Sequence, residues 1–232
     1  MIKQGIIKVG IALTVFTLST FQAWAAPTAQ NVTSALEQAL KKRITSPGGT
    51  MTVKITPGPR AAQGVLQEVY VEAKPAQIKK RRFSYLAMRA RNVRLDVNKL
   101  MGGDIETLSS QTTLRATITE SELTQALARG QDSADKNLRV KFRNDGSVRV
   151  TGNWSWGWFS GPMEATGRLR LGSNYTVVAD IATLKLNGTN VPEALKNKFQ
   201  ERINPLIDYE DLPFRPPFKS LTFKGDKAFI AA

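Results

Sequence analysis

Leu138-Arg139-Val140-Lys141-Phe142-Arg143-Asn144-Asp145-Gly146-Ser147-Val148-Arg149-Val150 is the stretch on which the reading of the fold turns. Leu138, Val140 and Phe142 alternate with Arg139, Lys141 and Arg143, the spacing of a strand with one buried face. Asn144-Asp145-Gly146 tolerates the backbone of a tight turn, and Val148 and Val150 resume the apolar side. The pattern predicts a β-hairpin.

The same alternation spreads outward from this hairpin. Met163, Ala165, Gly167, Leu169 and Leu171 alternate with Glu164, Thr166, Arg168 and Arg170. Tyr175, Val177, Ala179 and Ile181 share a face, but Leu184 and Leu186 fall on the opposite parity, which predicts a bulge near Ala182. Upstream, 51–56, 64–74, 82–97 and 105–119 read as extended, and a last hairpin flanks Gly225-Asp226. Three amphipathic helices interrupt the strands. Val32, Ala35, Leu36, Ala39, Leu40 and Ile44 recur at helical spacing, with Lys41, Lys42 and Arg43 at the negative end of the helix dipole. Thr119 and Glu122 form a capping box before Leu123, Ala126 and Leu127. Asn190 reads as the N-cap of a helix with Val191, Leu195, Phe199 and Ile203 on one side. The fold class is α+β, mostly antiparallel sheet with amphipathic helices. Strands this long must twist and coil, and the concave apolar face of a coiled sheet needs a helix or a ligand to fill it.

Residues 1–25 read as a cleavable signal peptide. Lys3 and Lys8 precede an apolar run that ends in Ala23-Trp24-Ala25. Residues 26–60 then hold the first helix and strand, and 61–232 the remainder of the same single domain. The expected destination is the periplasm or cell envelope of a bacterium. The full chain carries 33 Lys and Arg against 19 Asp and Glu; without Lys3 and Lys8 the net charge is +12. For an exported chain, that charge points to anionic lipid head groups or acidic wall polymers rather than nucleic acid. There is no cysteine and no histidine, which excludes disulfides, Ser-His-Asp and Cys-His catalysis, and the common zinc, haem and copper ligand sets. Asp208, Glu210 and Asp211 crowd one short loop, where they cap or solvate it more readily than they form a glycosidase pair.

The order of motifs from Arg91 onward carries a family resemblance. Arg91-Asn92-Val93-Arg94-Leu95-Asp96 is followed by the Thr119–Leu123 helix start, the Asp145-Gly146 hairpin and the Gly167-Arg168-Leu169 strand. Leu184-Lys185-Leu186-Asn187-Gly188, Val191-Pro192 and Asn204-Pro205-Leu206 with Leu212-Pro213 complete the series. The succession resembles the LmeA-type phospholipid-binding proteins of bacteria over most of 64–231. The resemblance implies a long, strongly curved sheet wrapped on helices around an elongated apolar groove, similar to tubular lipid-binding proteins. It implies a phospholipid or other anionic amphiphile as partner, no catalytic residue, and no cofactor or metal. It supplies no fixed ligand residue.

The candidate lining of the groove is Leu138, Val140, Phe142, Val148, Val150, Leu169, Leu171, Val177, Ile181, Leu195 and Phe199. Periodicity alone leaves a closed core equally open, and only the resemblance favours a channel. Trp154, Trp156 and Trp158, with Phe159, place indoles at a period of two, suited to a membrane interface or channel mouth; a hairpin packed on the core is the other reading. Lys79, Lys80, Arg81 and Arg82 form a dense basic run that suits an anionic membrane surface or simply a solvated loop. The expected function is binding of phospholipid acyl chains, with shuttling of lipid within the envelope, by a monomer that also meets the envelope membrane surface. A non-catalytic module binding acidic polymers through its basic faces is the alternative, and an envelope glycan hydrolase a third.

Overall fold

The computed structural model describes residues 26–79, 81–129, 137–156, 159–173, 175–208 and 212–232, excluding the side chains of Arg129, Ser155, Trp156 and Phe159. The expected signal peptide, residues 1–25, lies outside them. In chain order the elements are α1 (Ala29–Arg43), β1 (Ile44–Thr45), β2 (Thr50–Pro57), a 3-10 turn (Ala61–Gln63), β3 (Val65–Lys74), β4 (Ala76–Ile78), β5 (Arg81–Phe83) and β6 (Tyr85–Leu95). They continue with α2 (Val97–Met101), β7 (Thr107–Thr119), α3 (Glu120–Arg129), β8 (Arg139–Phe142), β9 (Ser147–Trp156), β10 (Phe159–Leu171) and β11 (Thr176–Leu186). The last are β12 (Thr189–Asn190), α4 (Glu193–Ile203), β13 (Ile207–Asp208), β14 (Ser220–Lys224) and β15 (Lys227–Ala231).

The fold is α+β, antiparallel sheet curled as a half-barrel with four helices. One six-stranded sheet runs β14-β15-β7-β6-β3-β2. Its inner face is laid down by alternation: Val69, Val71 and Ala73 on β3, Leu86, Met88 and Ala90 on β6, Leu114, Ala116 and Ile118 on β7 are all buried. α1 fills that face. Its apolar stripe puts Val32, Leu36 and Leu40 at 0% exposure. The Thr28 hydroxyl caps its start by accepting from the Asn31 N–H. The helix stops at Arg43, one residue before the expected Ile44, because Ile44 pairs with Ile78 and begins β1 while staying buried.

The second sheet runs β12-β11-β10-β9-β8, with β13 joined to β11. Its β8–β9 hairpin is the one read from the sequence: Phe142 faces Val148 across the ladder, and the Asp145 carboxylate accepts from the Ser147 N–H at 2.9 Å and hydroxyl at 2.6 Å. Those two bonds hold the Asp145 carboxyl below its usual range. The bulge falls where parity predicts it. Thr166 faces Thr183 and Gly167 faces Ile181, leaving Ala182 as the extra residue. A β-carbon on Gly167 would lie 2.2 Å from the Asp180 carbonyl oxygen, so the close approach at this kink requires glycine.

The helix starts divide. Thr119 and Glu122 make the expected capping box: the Thr119 N–H donates to Glu122 at 2.8 Å and the Glu122 N–H to Thr119 Oγ1 at 3.2 Å. Asn190 is not an N-cap. It is committed to the two-residue bridge of β12 with β11, so α4 begins after Pro192. One hydrophobic cluster joins α1 and the larger sheet to Val140, Phe142, Val177 and Ile207; a smaller one gathers Leu138, Trp154, Met163, Ala165, Leu184 and Phe199.

Candidate functional site: an apolar slot under α3 and α4

The smaller sheet meets its two helices differently from the way the larger sheet meets α1. β8 and β11 each keep part of an edge with no strand beside it, and helix side chains satisfy the backbone there. On α3, Glu120 accepts from the Phe142 N–H at 2.8 Å and Thr124 Oγ1 from the Val140 N–H at 3.0 Å. On α4, Gln200 Oε1 accepts from the Ile181 N–H at 2.7 Å. Asn204, the residue that ends α4, both accepts from the Ala179 N–H at 2.8 Å and donates to the Ala179 carbonyl at 2.9 Å. The helices are strapped to the sheet by polar side chains at its edges.

Between the straps the packing is incomplete. Leu123 and Leu127 of α3 and Phe199 and Ile203 of α4 stand over Val148 and Val150 of β9, Met163, Ala165 and Leu169 of β10, and Ala179 and Ile181 of β11. Leu138 and Leu206 complete the apolar wall, and Thr166, Gly167 and Arg168 border it at the bulge. The space is far smaller than an open small-ligand site. The centre of a water molecule has only about 30 Å³ of it, so the slot is narrow. Nearly every lining group is hydrocarbon, which gives water few partners and a hydrocarbon many.

Of the residues expected to line a groove, the structure brings Leu138, Val148, Val150, Leu169, Ile181 and Phe199 to this slot. Val140, Phe142 and Val177 lie in the larger cluster, where Phe142 meets Phe223 edge-on at 5.5 Å. Leu171 is half-buried against that same cluster, and Leu195 is half-buried outside the slot lining. Leu123, Leu127, Met163, Ala165, Ala179, Ile203 and Leu206 also line it without having been singled out as lining. All but Leu206 stood on the apolar stripes of the sequence; which part of a stripe faces a void depends on how the helix sits, which periodicity does not encode.

The expected mouth residues scatter. Trp154 is buried, its ring edge-on to Phe199 at 5.0 Å, and so is a core side chain rather than a surface one. Trp158 and Lys80 lie outside the described residues, as do the side chains of Trp156 and Phe159. Arg81 and Arg82 are half-buried at the β5 side of the β4–β5 hairpin; the Arg81 guanidinium donates to the Pro205 carbonyl at 3.4 Å, next to Leu206 of the slot. Lys79 is exposed at the hairpin tip. Glu210 and Asp211 also lie outside the described residues.

Three cations on the outer face of the smaller sheet are paired with carboxylates. Arg149 donates to Glu164 at 2.8 Å and Lys141 to Glu120 at 2.8 Å, and Arg170 bonds Asp180. Arg149 holds the Glu164 carboxyl below its usual range, and Asp180 pushes the Arg170 guanidinium up. Among the described residues no three His, Cys, Asp or Glu gather as a metal site, and no helix is long and apolar enough to cross a membrane.

Comparison with known proteins agrees with the motif order. No curated protein and no solved structure matches the chain. The model of one family, described as LmeA-like phospholipid-binding, matches residues 25–227, and so takes in α1, which the motif order had left outside. A long antiparallel sheet, helices over its apolar side and a match across nearly the whole length lead to one assignment: the chain belongs to the LmeA-like phospholipid-binding family.

Proposed function

We propose that the protein is an exported, non-enzymatic carrier that buries a phospholipid acyl chain in the slot between the smaller sheet and α3 and α4, and shuttles lipid within the bacterial envelope. The observation that carries this reading is the hydrocarbon lining of an incompletely filled interface in a member of a phospholipid-binding family. Each methylene moved from water into the slot contributes about 0.8 kcal/mol, so a short length of chain gives useful affinity. The slot is too tight to admit a chain without a shift of its roof. α4 suits that movement: Phe199 is its one buried residue, and Gln200 and Asn204 tie only its C-terminal half to β11. Displacing its N-terminal half breaks little packing.

The alternative, a module for acidic polymers, would use the outer basic face. The pairing of Lys141, Arg149 and Arg170 with carboxylates leaves that face less cationic than its sequence suggests. The deciding experiment is native mass spectrometry of protein purified from cells, with lipid extraction, beside uptake of a fluorescent phospholipid. Co-purified lipid and saturable uptake are expected, with uptake abolished in Leu169→Arg. No bound amphiphile and no uptake would leave polymer binding as the better account.

A further inference from the structure

A much roomier opening than the slot lies elsewhere on the molecule. A cleft of about 1030 Å³ lies among the last turn of α1, the β4 end, the segment leading into β7 and residues 212–215. Its floor is apolar: Ile78, Ile105, Leu212 and Phe214 are buried there. Its walls are cationic. Lys42, Arg43, Lys79 and Arg215 line it against Asp104 and Glu106, and Arg43 is paired with Asp104. A hydrocarbon floor under a net positive wall is the chemistry of a phospholipid's glycerol and phosphate region, not of a plain solvated face.

The rim adds a second, independent observation. Among the described residues the exposed large hydrophobics are Met101 at 50%, Leu108 at 60% and Phe229. Met101 closes α2 and Leu108 opens β7, so two of these three flank the 102–107 link that borders the cleft. Their exposure costs solvation in water and is recovered in the interfacial layer of a bilayer. Exposed apolar side chains beside a basic cleft form the two-part signal that peripheral membrane association requires.

We propose that this edge, with Met101 and Leu108 at its front and Lys42, Lys79 and Arg215 around the cleft, docks on an anionic phospholipid membrane and takes a lipid phosphate group into the cleft. The proposal deepens the carrier reading and rests on it for the identity of the partner. It adds a second membrane contact to the one expected of the tryptophan run, from which the buried Trp154 is removed.

The test is flotation of the full chain with vesicles of phosphatidylcholine alone and of phosphatidylcholine mixed with phosphatidylglycerol. Binding is expected only to the mixed vesicles. Met101→Asp with Leu108→Asp should weaken it about tenfold or more, and so should Lys42→Glu with Arg215→Glu. These side chains are exposed, so circular dichroism should show both variants folded, and uptake of fluorescent phospholipid presented in detergent should be unchanged in Met101→Asp/Leu108→Asp, whose altered side chains line neither the slot nor the cleft. Equal binding to neutral vesicles, or full binding by the Met101→Asp/Leu108→Asp protein, overturns the proposal. So does loss of binding only on charge reversal, because that pattern describes a polyanion site. If the wild type takes up no lipid yet both variants lose vesicle binding, the docking edge stands and the slot reading falls.

Discussion

The two six-stranded sheets carry the same alternation of apolar and polar residues, yet their helices are fixed to them in different ways. Under the larger sheet, α1 presents Val32, Leu36 and Leu40 on one stripe, each fully buried. Over the smaller sheet, α4 buries Phe199 alone, and its hold comes from Gln200 and Asn204 at the edge of β11. The contrast separates two ways of fixing a helix. Apolar interdigitation fills the space it closes. Polar straps at a sheet edge fix a helix without filling the space beneath it, which leaves room for something else.

Mutations on either side test that contrast. The largest effect is expected in the filled core. Leu36→Ala should cost about 4 kcal/mol, read as a lowered denaturant midpoint with unchanged slope. Phe199→Ala removes a larger side chain but from an interface already loose, so it should cost less, about 3 kcal/mol. A greater loss at Phe199 than at Leu36 would show that the slot is packed as tightly as the α1 core, and the contrast would fail. Bound phospholipid should sharpen it further, raising the melting temperature of the wild type but not of Leu169→Arg.

Smaller effects probe the straps and the caps. Asn204→Ala should cost about 1–3 kcal/mol, because it leaves the Ala179 N–H and carbonyl without their partner, and it should speed lipid uptake by loosening α4. Slower uptake would mean that the strap shapes the slot rather than restrains its roof. Thr119→Ala should cost about 1 kcal/mol through loss of the capping box on α3. The smallest effect concerns Glu164. Its folded value is lowered by Arg149, so its contribution is present above the ordinary glutamate range and is lost as pH falls through the lowered folded value. A carboxyl titration by NMR should find Glu164 below the usual range in the wild type and near it in Arg149→Ala.

The comparison also shows where sequence reading succeeds. Alternation around Asn144-Asp145-Gly146 yields the β8–β9 hairpin, the parity change before Leu184 yields the bulge at Ala182, and Thr119 with Glu122 yields the start of α3. Each of these is a local rule: turn chemistry, side-chain parity and capping act over a few residues. Asn190 misleads for the same reason. Its capping preference is local, and a two-residue pairing with β11 outweighs it. Trp154 shares a period with Trp156 and Trp158, but period says only that residues share a face, not which face is covered. Gln200 and Asn204 carried no signal except a four-residue spacing beside the apolar stripe of α4.

By itself the amino-acid order determined the antiparallel strands, the helix faces, the basic charge and the family, because these rest on patterns repeated along the chain. Only the tertiary structure decided that apolar packing holds α1 while side chains at a sheet edge hold α4, that Trp154 is inside, and that Lys42, Lys79 and Arg215 gather around one cleft bordered by the link that Met101 and Leu108 flank. Those outcomes depend on distances between segments far apart in the chain, where packing and edge pairing compete, and no local pattern encodes the winner.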